Sequence, residues 1–280
     1  MNPDAMSPKE VQGRNRDLIS PTASGELASV LKQLDSLRLG HWKTSMENDF
    51  AQITHGDQTL LLAHFKKWIN YELSERKSQK IKSRINGAQF VKIQTVDQFN
   101  FPYNESTRAL KPEYLNLIDA TLKGNAPSAV FVGNAGLGKT HLARALGYAG
   151  CQAGLSVLFT TVAEMVNALS TAKATQTLEM KLKRYRKPQI LIADEFGYVS
   201  MDIEASNLFF QVISARYDQG LGTIVTTNHP FGQWNQILAS DASALAVVDR
   251  LTAEAEIFYL KGDSYREYQR KQKMIARNKT

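Results

Sequence analysis

Hydrophobic positions recur along this chain with two periods, separating a helical front from a rear in which short apolar runs alternate with helices. From Gly25-Glu26 onward, Leu27, Val30, Leu31, Leu34 and Leu37 keep the three-and-four spacing of one helix face, and the pattern breaks near Gly40. A longer helix is predicted over 57–86, closed by Asn86-Gly87, with Leu61, Leu62, Phe65, Trp68, Ile69 and Leu73 as its apolar stripe. The stretch from Val96 to Pro102 reads as a linker whose aromatics dock on the rear part of the chain. Another helix is predicted around 109–122. Beyond it, short apolar runs near 128–133, 156–160, 189–194, 223–227 and 256–260 read as strands. Five strands alternating with helices predict an α/β fold with a parallel sheet covered on both faces.

The expected organisation is therefore a disordered tail over 1–23, polar with scattered Pro and Ser, then a small all-helical domain over 24–95. A linker over 96–108 leads into an α/β domain over 109–280, and no internal repeat is visible. A length of 280 residues and a hydrophobic content of 43% suit two such domains. No apolar run approaches the roughly 20 residues of a membrane span, and the polar N-terminus does not read as a signal peptide. The expectation is a cytoplasmic protein with no membrane partner. One cysteine, Cys151, leaves no internal disulfide and fits a reducing compartment as a small core residue. Five scattered histidines form no metal-ligand spacing.

The chemistry is concentrated in a few short segments. The apolar run Val130-Phe131-Val132 enters Gly133-Asn134-Ala135-Gly136-Leu137-Gly138-Lys139-Thr140, and a helical pattern starts at once with His141-Leu142-Ala143. This is a Gly-x-x-x-x-Gly-Lys-Thr loop between a strand and a helix. Its glycines let backbone N–H groups turn inward as a nest for phosphate oxygens at a helix N-terminus. Lys139 would reach the β- and γ-phosphates, and the Thr140 hydroxyl would hold Mg²⁺. The segment predicts binding of a nucleoside triphosphate. A second segment, Ile190-Leu191-Ile192-Ala193, ends in Asp194-Glu195, a buried strand with two carboxylates at its tip. An isolated pair of this kind is usually a helix cap or a solvated turn. Following the phosphate loop, Asp194 would hold the Mg²⁺ shell and Glu195 would deprotonate the attacking water, so hydrolysis is favoured over phosphoryl transfer to a small acceptor. A third strand, Thr223 to Thr227, ends at Asn228, whose amide could sense the γ-phosphate or fix the water.

A formal charge of +7 points weakly to a polyanionic partner, but its distribution says more. Lys66, Lys67, Arg76, Lys77, Lys80, Lys82, Arg84 and Lys92 stand against only Glu72 and Glu75 in one segment. Lys181, Lys183, Arg184, Arg186 and Lys187 precede the Asp194-Glu195 strand, and a third cluster spans Arg266 to Lys279. Singly, each is more often a solvated face, and the third is as readily a frayed tail. Three around one nucleotide-binding core make nucleic acid the leading partner.

Together these motifs resemble the IstB-like transposition helper ATPases. The resemblance rests on Gly136 to Ala143, Asp194-Glu195-Phe196-Gly197-Tyr198 and Asn207 to Tyr217. It continues through Thr226-Thr227-Asn228-His229-Pro230-Phe231-Gly232-Gln233-Trp234, Val248-Asp249-Arg250-Leu251 and Lys261-Gly262-Asp263-Ser264-Tyr265-Arg266, and reaches back to about residue 27. It implies an AAA+ P-loop ATPase of the initiator and helicase-loader branch that assembles as a homo-oligomer on double-stranded DNA, largely without regard to sequence. It further implies recruitment of a cognate transposase. In that pattern Arg250 is similar to an arginine finger reaching a neighbouring subunit's nucleotide, and Arg266 to a second sensor within its own subunit. The loop departs from the family at Asn134-Ala135, where relatives commonly carry prolines. Two rivals share the core: a DnaC-like helicase loader, and a DNA clamp that closes on ATP with little turnover.

Overall fold

The computed structural model of the chain describes residues 21–277. The expected tail lies outside the described residues except at 21–23, where the first helix has already begun. The chain divides into two compact units, residues 1–79 and 80–280.

In the first unit, α1 (Pro21–Ser36) and the N-terminal part of α3 (His55–Gly87) form the predicted pair, with α2 (Gly40–Asp49) and a 3-10 turn (Phe50–Gln52) between them. Leu27, Val30 and Leu34 of α1, with Leu37 just beyond it, bury against Phe50, Leu62 and Ile69. Helix α2 has no counterpart among the predicted elements, and it buries no residue completely. The apolar stripe of α3 also needs one correction. Trp68 is 58% exposed while Ile69 beside it is buried. At 3.6 residues per turn Trp68 lies roughly 120° around the helix from Leu62, so it flanks the stripe. Its ring instead meets Phe65 edge-on at 5.5 Å.

The division at Gln79/Lys80 falls within α3, well before the boundary expected at residue 95. Residues 80–108 belong to the larger unit because they pack on it. The Phe159 N–H donates to the Ala88 carbonyl at 2.8 Å, and Phe90 lies against the Phe159 ring with centroids 6.3 Å apart. The expected linker is two 3-10 turns, Val96–Gln98 and Phe101–Tyr103, with Phe101 buried beneath α4 (Glu105–Leu122). Asn104 caps α4 by accepting the Thr107 N–H, which starts the helix earlier than residue 109.

The five predicted strands are present as β1 (Ser128–Gly133), β2 (Val157–Thr161), β3 (Ile190–Phe196), β4 (Gly222–Thr227) and β5 (Ala255–Leu260). They form one sheet in the order β2-β3-β4-β1-β5, with every neighbouring pair parallel. Alternate residues serve opposite faces: Val130, Val132, Leu191, Ala193 and Val225 enter one core, and Ala129, Phe131, Ile190, Ile192 and Ile224 the other. One face is covered by α4 and α5 (Lys139–Gln152), with Cys151 fully buried there; the other is covered by α6 (Val162–Ala174), α8 (Ile203–Asp218) and α9 (Asp241–Thr252). Helix α7 (Leu178–Arg186) precedes β3, and α10 (Tyr265–Arg277) closes the described chain. Because β4 lies between β1 and β3, the carboxyl ends of all three sit side by side, where open α/β sheets bind ligands.

A buried arginine fixes the C-terminal end of α7, the helix that carries the second basic cluster. Arg216 on α8 is fully buried, and its guanidinium donates to the carbonyls of Tyr185, Pro188 and Gly222 and to Thr223 Oγ1. Burial lowers its pKa to about 9, and the ring of acceptors keeps the desolvated cation in place. Among the described residues, no helix is long and apolar enough to cross a membrane.

Candidate functional site

Strand β1 ends at Gly133 and α5 begins at Lys139, so Asn134 to Gly138 form the loop that the sequence marks for phosphate. Gly136 and Gly138 adopt φ of +83° and +92°. A Cβ at Gly138 would come 2.5 Å from the Phe99 ring, and one at Gly136 would come 2.2 Å from Ser264 Oγ. Only glycine satisfies both the backbone conformation and the close approach. Leu137 is buried and anchors the loop, while Asn134 and Ala135 are exposed at its tip.

Lys139 is 8% exposed, and its ammonium donates to Gly133 O at 2.7 Å, Asn134 O at 2.8 Å and Asn228 Oδ1 at 2.7 Å. All three acceptors are neutral, and Lys139 has no ion-pair partner among the described residues. Burial lowers its pKa to about 8, against the opposing charges of Asp194 and Glu195. A desolvated cation held by neutral groups awaits an anion, which would raise that pKa on binding. Proton linkage then sets a direction. Below pH 8 the lysine is already charged, and above it binding must take up a proton. Affinity for ATP is therefore expected to be level to about pH 8 and then to fall by up to about tenfold per unit. Titration with a fluorescent ATP analogue from pH 7 to 9.5 checks this, and level affinity throughout would contradict it.

The two carboxylates at the tip of β3 have different surroundings. Asp194 is 2% exposed, and its Oδ1 accepts the hydroxyls of Thr140 at 2.9 Å and Thr226 at 2.6 Å. Glu195 is exposed and sits at φ +61°, a left-handed conformation costing a non-glycine residue about 1–3 kcal/mol. The β3–β4 register shifts between Ala193 and Phe196 at this point, so an irregular strand end turns Glu195 out of the sheet.

Lys139, Thr140, Asp194 and Glu195 line one cavity of about 710 Å³, together with Gly136, Gly138, His141, Tyr265 and Arg266. The structure thus brings the phosphate loop, both carboxylates and Arg266 together, with Asn228 joined to them through Lys139. His141 forms part of the wall, but its ring is turned to the segment before the sheet. Its Nε2–H donates to Thr95 O at 2.9 Å, and burial lowers its pKa. Arg250 lies elsewhere. Its guanidinium rests over the Phe210 ring at 4.9 Å, with Nε donating to Ser214 Oγ at 3.1 Å and Nη1 to Ala246 O at 3.3 Å. No site motif marks the remaining wall: Lys92 and Gln94 reach it from the end of the expected helical domain, Gln98 from the expected linker, Arg144 from α5 and Gln269 from α10. Arg144 stacks over Phe159 at 4.5 Å and donates to Gln94 Oε1.

A nucleoside triphosphate fits this donor set. The glycine loop leads into a helix N-terminus, and the hydrogen-bond acceptors of the buried ammonium are all neutral. Mg²⁺ fits as well. It takes one or two protein oxygens and leaves the remaining positions to phosphates and water. Thr140 and Asp194 offer one hydroxyl and one carboxylate at the loop. Among the described residues, no group of three or more His, Cys, Asp or Glu side chains forms a metal cluster of its own.

Comparison with known proteins places the chain in context. The DnaC helicase loader shares the fold with a TM-score of 0.52 and 22% identity, over 60% of this chain and 96% of that one. AMPPCP-bound DnaA from Aquifex aeolicus has a TM-score of 0.52 and 19% identity, over 66% of this chain and 55% of that one. Both are likenesses of fold alone. Sequence relatives extend further. The insertion sequence IS232 protein of Bacillus thuringiensis subsp. berliner, named for ATP binding, is 35% identical over 71% of this chain and 79% of its own length. Its counterpart from IS21 of Pseudomonas aeruginosa is 31% identical over 80% of this chain and 87% of its own length. The family profile described as IstB-like ATP binding protein matches residues 32–273, and the chain belongs to that family.

Proposed function

We propose that this chain is an ATP-hydrolysing helper of DNA transposition, which assembles on duplex DNA largely without regard to sequence and recruits or stimulates a cognate transposase. The observation that carries the hydrolytic part is the placement of Glu195 on the wall of the cavity that also holds Lys139, Thr140 and Asp194. Bound ATP with Mg²⁺ would supply the transferable phosphoryl group. The chain's own residues would then divide the work. Lys139 balances phosphate charge, Thr140 and Asp194 hold the cation, and Glu195 accepts the proton of the attacking water. Asn228, whose side-chain oxygen meets the lysine, would orient that water or register the terminal phosphate, and Arg266 would meet phosphate from the same chain. Arg250, outside its own chain's cavity, would serve the nucleotide of a neighbouring copy, making the working unit a homo-oligomer.

The transposition part is supported by relatives named for insertion sequences, and the DNA part by charge. Lys66 and Arg76 are already paired with Glu26 and Glu72, and Arg84 is tied to the Gly154 carbonyl. Lys77, Lys80 and Lys82 have no ion-pair partner among the described residues, and neither do Lys183, Arg184 and Lys187, which are exposed. Duplex binding in the presence of ATP is expected to weaken steeply with salt, with a log–log slope of about −0.9 per phosphate contact. Neutralising the lysines of one set, and separately the three residues of the other, identifies the DNA face by which change flattens that slope. Salt-independent binding by the wild-type protein would overturn the electrostatic basis. A strong preference for single strands would favour the helicase-loader alternative, and DNA binding with negligible ATP turnover would favour a clamp.

A further inference from the structure

Beside the predicted site residues, one buried hydroxyl touches both halves of the carboxylate pair. Thr226 is 1% exposed on β4, two residues before Asn228. Its Oγ1 donates to Asp194 Oδ1 at 2.6 Å and accepts the Glu195 backbone N–H at 3.0 Å. Both bonds fall where β3 leaves its register with β4 and Glu195 takes its left-handed conformation. An N–H turned out of the strand ladder would otherwise lack its sheet partner, and Thr226 supplies one from the side chain of the adjacent strand. The next residue repeats the device on the same irregular turn, since Thr227 Oγ1 donates to Phe196 O at 2.9 Å.

We propose that Thr226 is a positioning residue that sets the direction of the Asp194 carboxylate and the backbone turn presenting Glu195. This rests on the reading of Asp194 as a Mg²⁺-holding group and of Glu195 as the base. The geometry separates its role from that of Thr140. Both hydroxyls donate to Asp194 Oδ1, but Thr140 lies on the cavity wall, whereas Thr226 is sealed in the sheet. Thr140 can offer a lone pair to a cation while its proton stays on Asp194, so it links the carboxylate to the ligand, whereas Thr226 ties it to the sheet. Thr226 holds Oδ1 from within the sheet, whatever Thr140 meets in the cavity. A hydrogen-bonding partner of a ligating carboxylate affects metal affinity or activity by about 10–100-fold.

Two pairs of side chains isolate the hydroxyl: Thr against Val, which keeps the branched shape, and Ser against Ala, which differ by the oxygen alone. The first readout is independent of turnover: the gain in affinity for a fluorescent, non-hydrolysable ATP analogue when Mg²⁺ is added to protein in EDTA. Thr226→Val is expected to bind the analogue in EDTA like wild type but to lose about tenfold or more of the Mg²⁺-dependent gain. Its kcat for ATP hydrolysis falls by about 10–100-fold with KM changed less. Thr226→Ser restores most of both, and Thr226→Ala restores neither. If Thr226→Val does not fold, as its melting curve would show, the Ser/Ala pair decides alone. Equal Mg²⁺-dependent gain and equal kcat with and without the hydroxyl would overturn the proposal. Wild-type protein that shows the gain without hydrolysis would overturn the ATPase reading while leaving Thr226 to be judged on affinity. Wild-type protein that gains nothing from Mg²⁺ would overturn both.

Discussion

Lys139→Ala is expected to lose ATP binding by about 10²–10⁴-fold, and with it every assembly step that depends on ATP. Hydrogen bonds to charged groups contribute about 1.5–3 kcal/mol each, and a loop lysine in this position is placed to make two with phosphate oxygens. The same substitution should not unfold the protein. In the unliganded chain the ammonium is 8% exposed and surrounded by neutral acceptors, and burial has lowered its pKa from 10.5 to about 8. A basic group with a depressed folded pKa costs stability fully below that pKa, and the cost fades as pH rises towards the unfolded value. At pH 7 it amounts to roughly 3 kcal/mol by the usual conversion of pKa shift to free energy. Removing the charge relieves this cost while giving up the bonds to Gly133, Asn134 and Asn228. The expected pairing is therefore lost binding with a melting temperature at or near the wild-type value. Fluorescent ATP-analogue titration and a thermal melt measure the two separately. Wild-type affinity in the variant would remove Lys139 from the site. Lost binding with a collapsed melting temperature would make the effect one of folding.

The phosphate loop and the Asp194-Glu195 strand were legible because their chemistry is local. A nest needs consecutive backbone groups, and a strand tip places adjacent side chains at one point, so the geometry is written in neighbouring letters. The five strands were legible for a similar reason, since a parallel sheet buried on both faces demands continuous apolar runs. What escaped was set by tertiary packing. Helix α2 buries no residue completely, so it leaves no periodic trace. Docking of the aromatics of Val96 to Pro102 on the rear part was legible, but that Gly138 makes room for the Phe99 ring is visible only once the loop and the preceding turn are together. Residues 92–98 read as part of a helical domain and a linker, yet Lys92, Gln94 and Gln98 form a wall of the cavity that holds Lys139 and Asp194. Thr226 looked like one β-branched strand residue among several. Its importance comes from the irregular register opposite it, which no single-strand pattern announces. Asn228 stood out by being the polar end of an apolar run, and Thr226, two residues earlier, did not.

Arg250→Ala tests whether the working unit is a multimer, and its expected effect on rate is the largest. An arginine finger contributes about 10³–10⁵ to phosphoryl transfer. Because Arg250 does not line the cavity of its own chain, the monomeric variant should bind ATP nearly as wild type while hydrolysing little. The structure also offers Arg250 a local purpose. Its bonds to Ser214 on α8 and Ala246 on α9, and its stacking on Phe210, tie two packed helices together. The two roles separate on mixing. Lys139→Ala protein cannot hold nucleotide but carries an intact Arg250, whereas Arg250→Ala protein holds nucleotide and lacks the finger. Mixed assemblies would restore interfaces having both, so two inactive proteins together should recover a modest part of wild-type hydrolysis. Recovery should also vanish on dilution below the assembly concentration, because the missing group comes from another chain. A helix tie acting within one chain gives no recovery, since each Arg250→Ala subunit keeps its own defect whatever stands beside it. Normal hydrolysis by Arg250→Ala alone would exclude the residue from the chemistry. Inactive single variants that demonstrably co-assemble without recovery would leave the α8–α9 tie as its role.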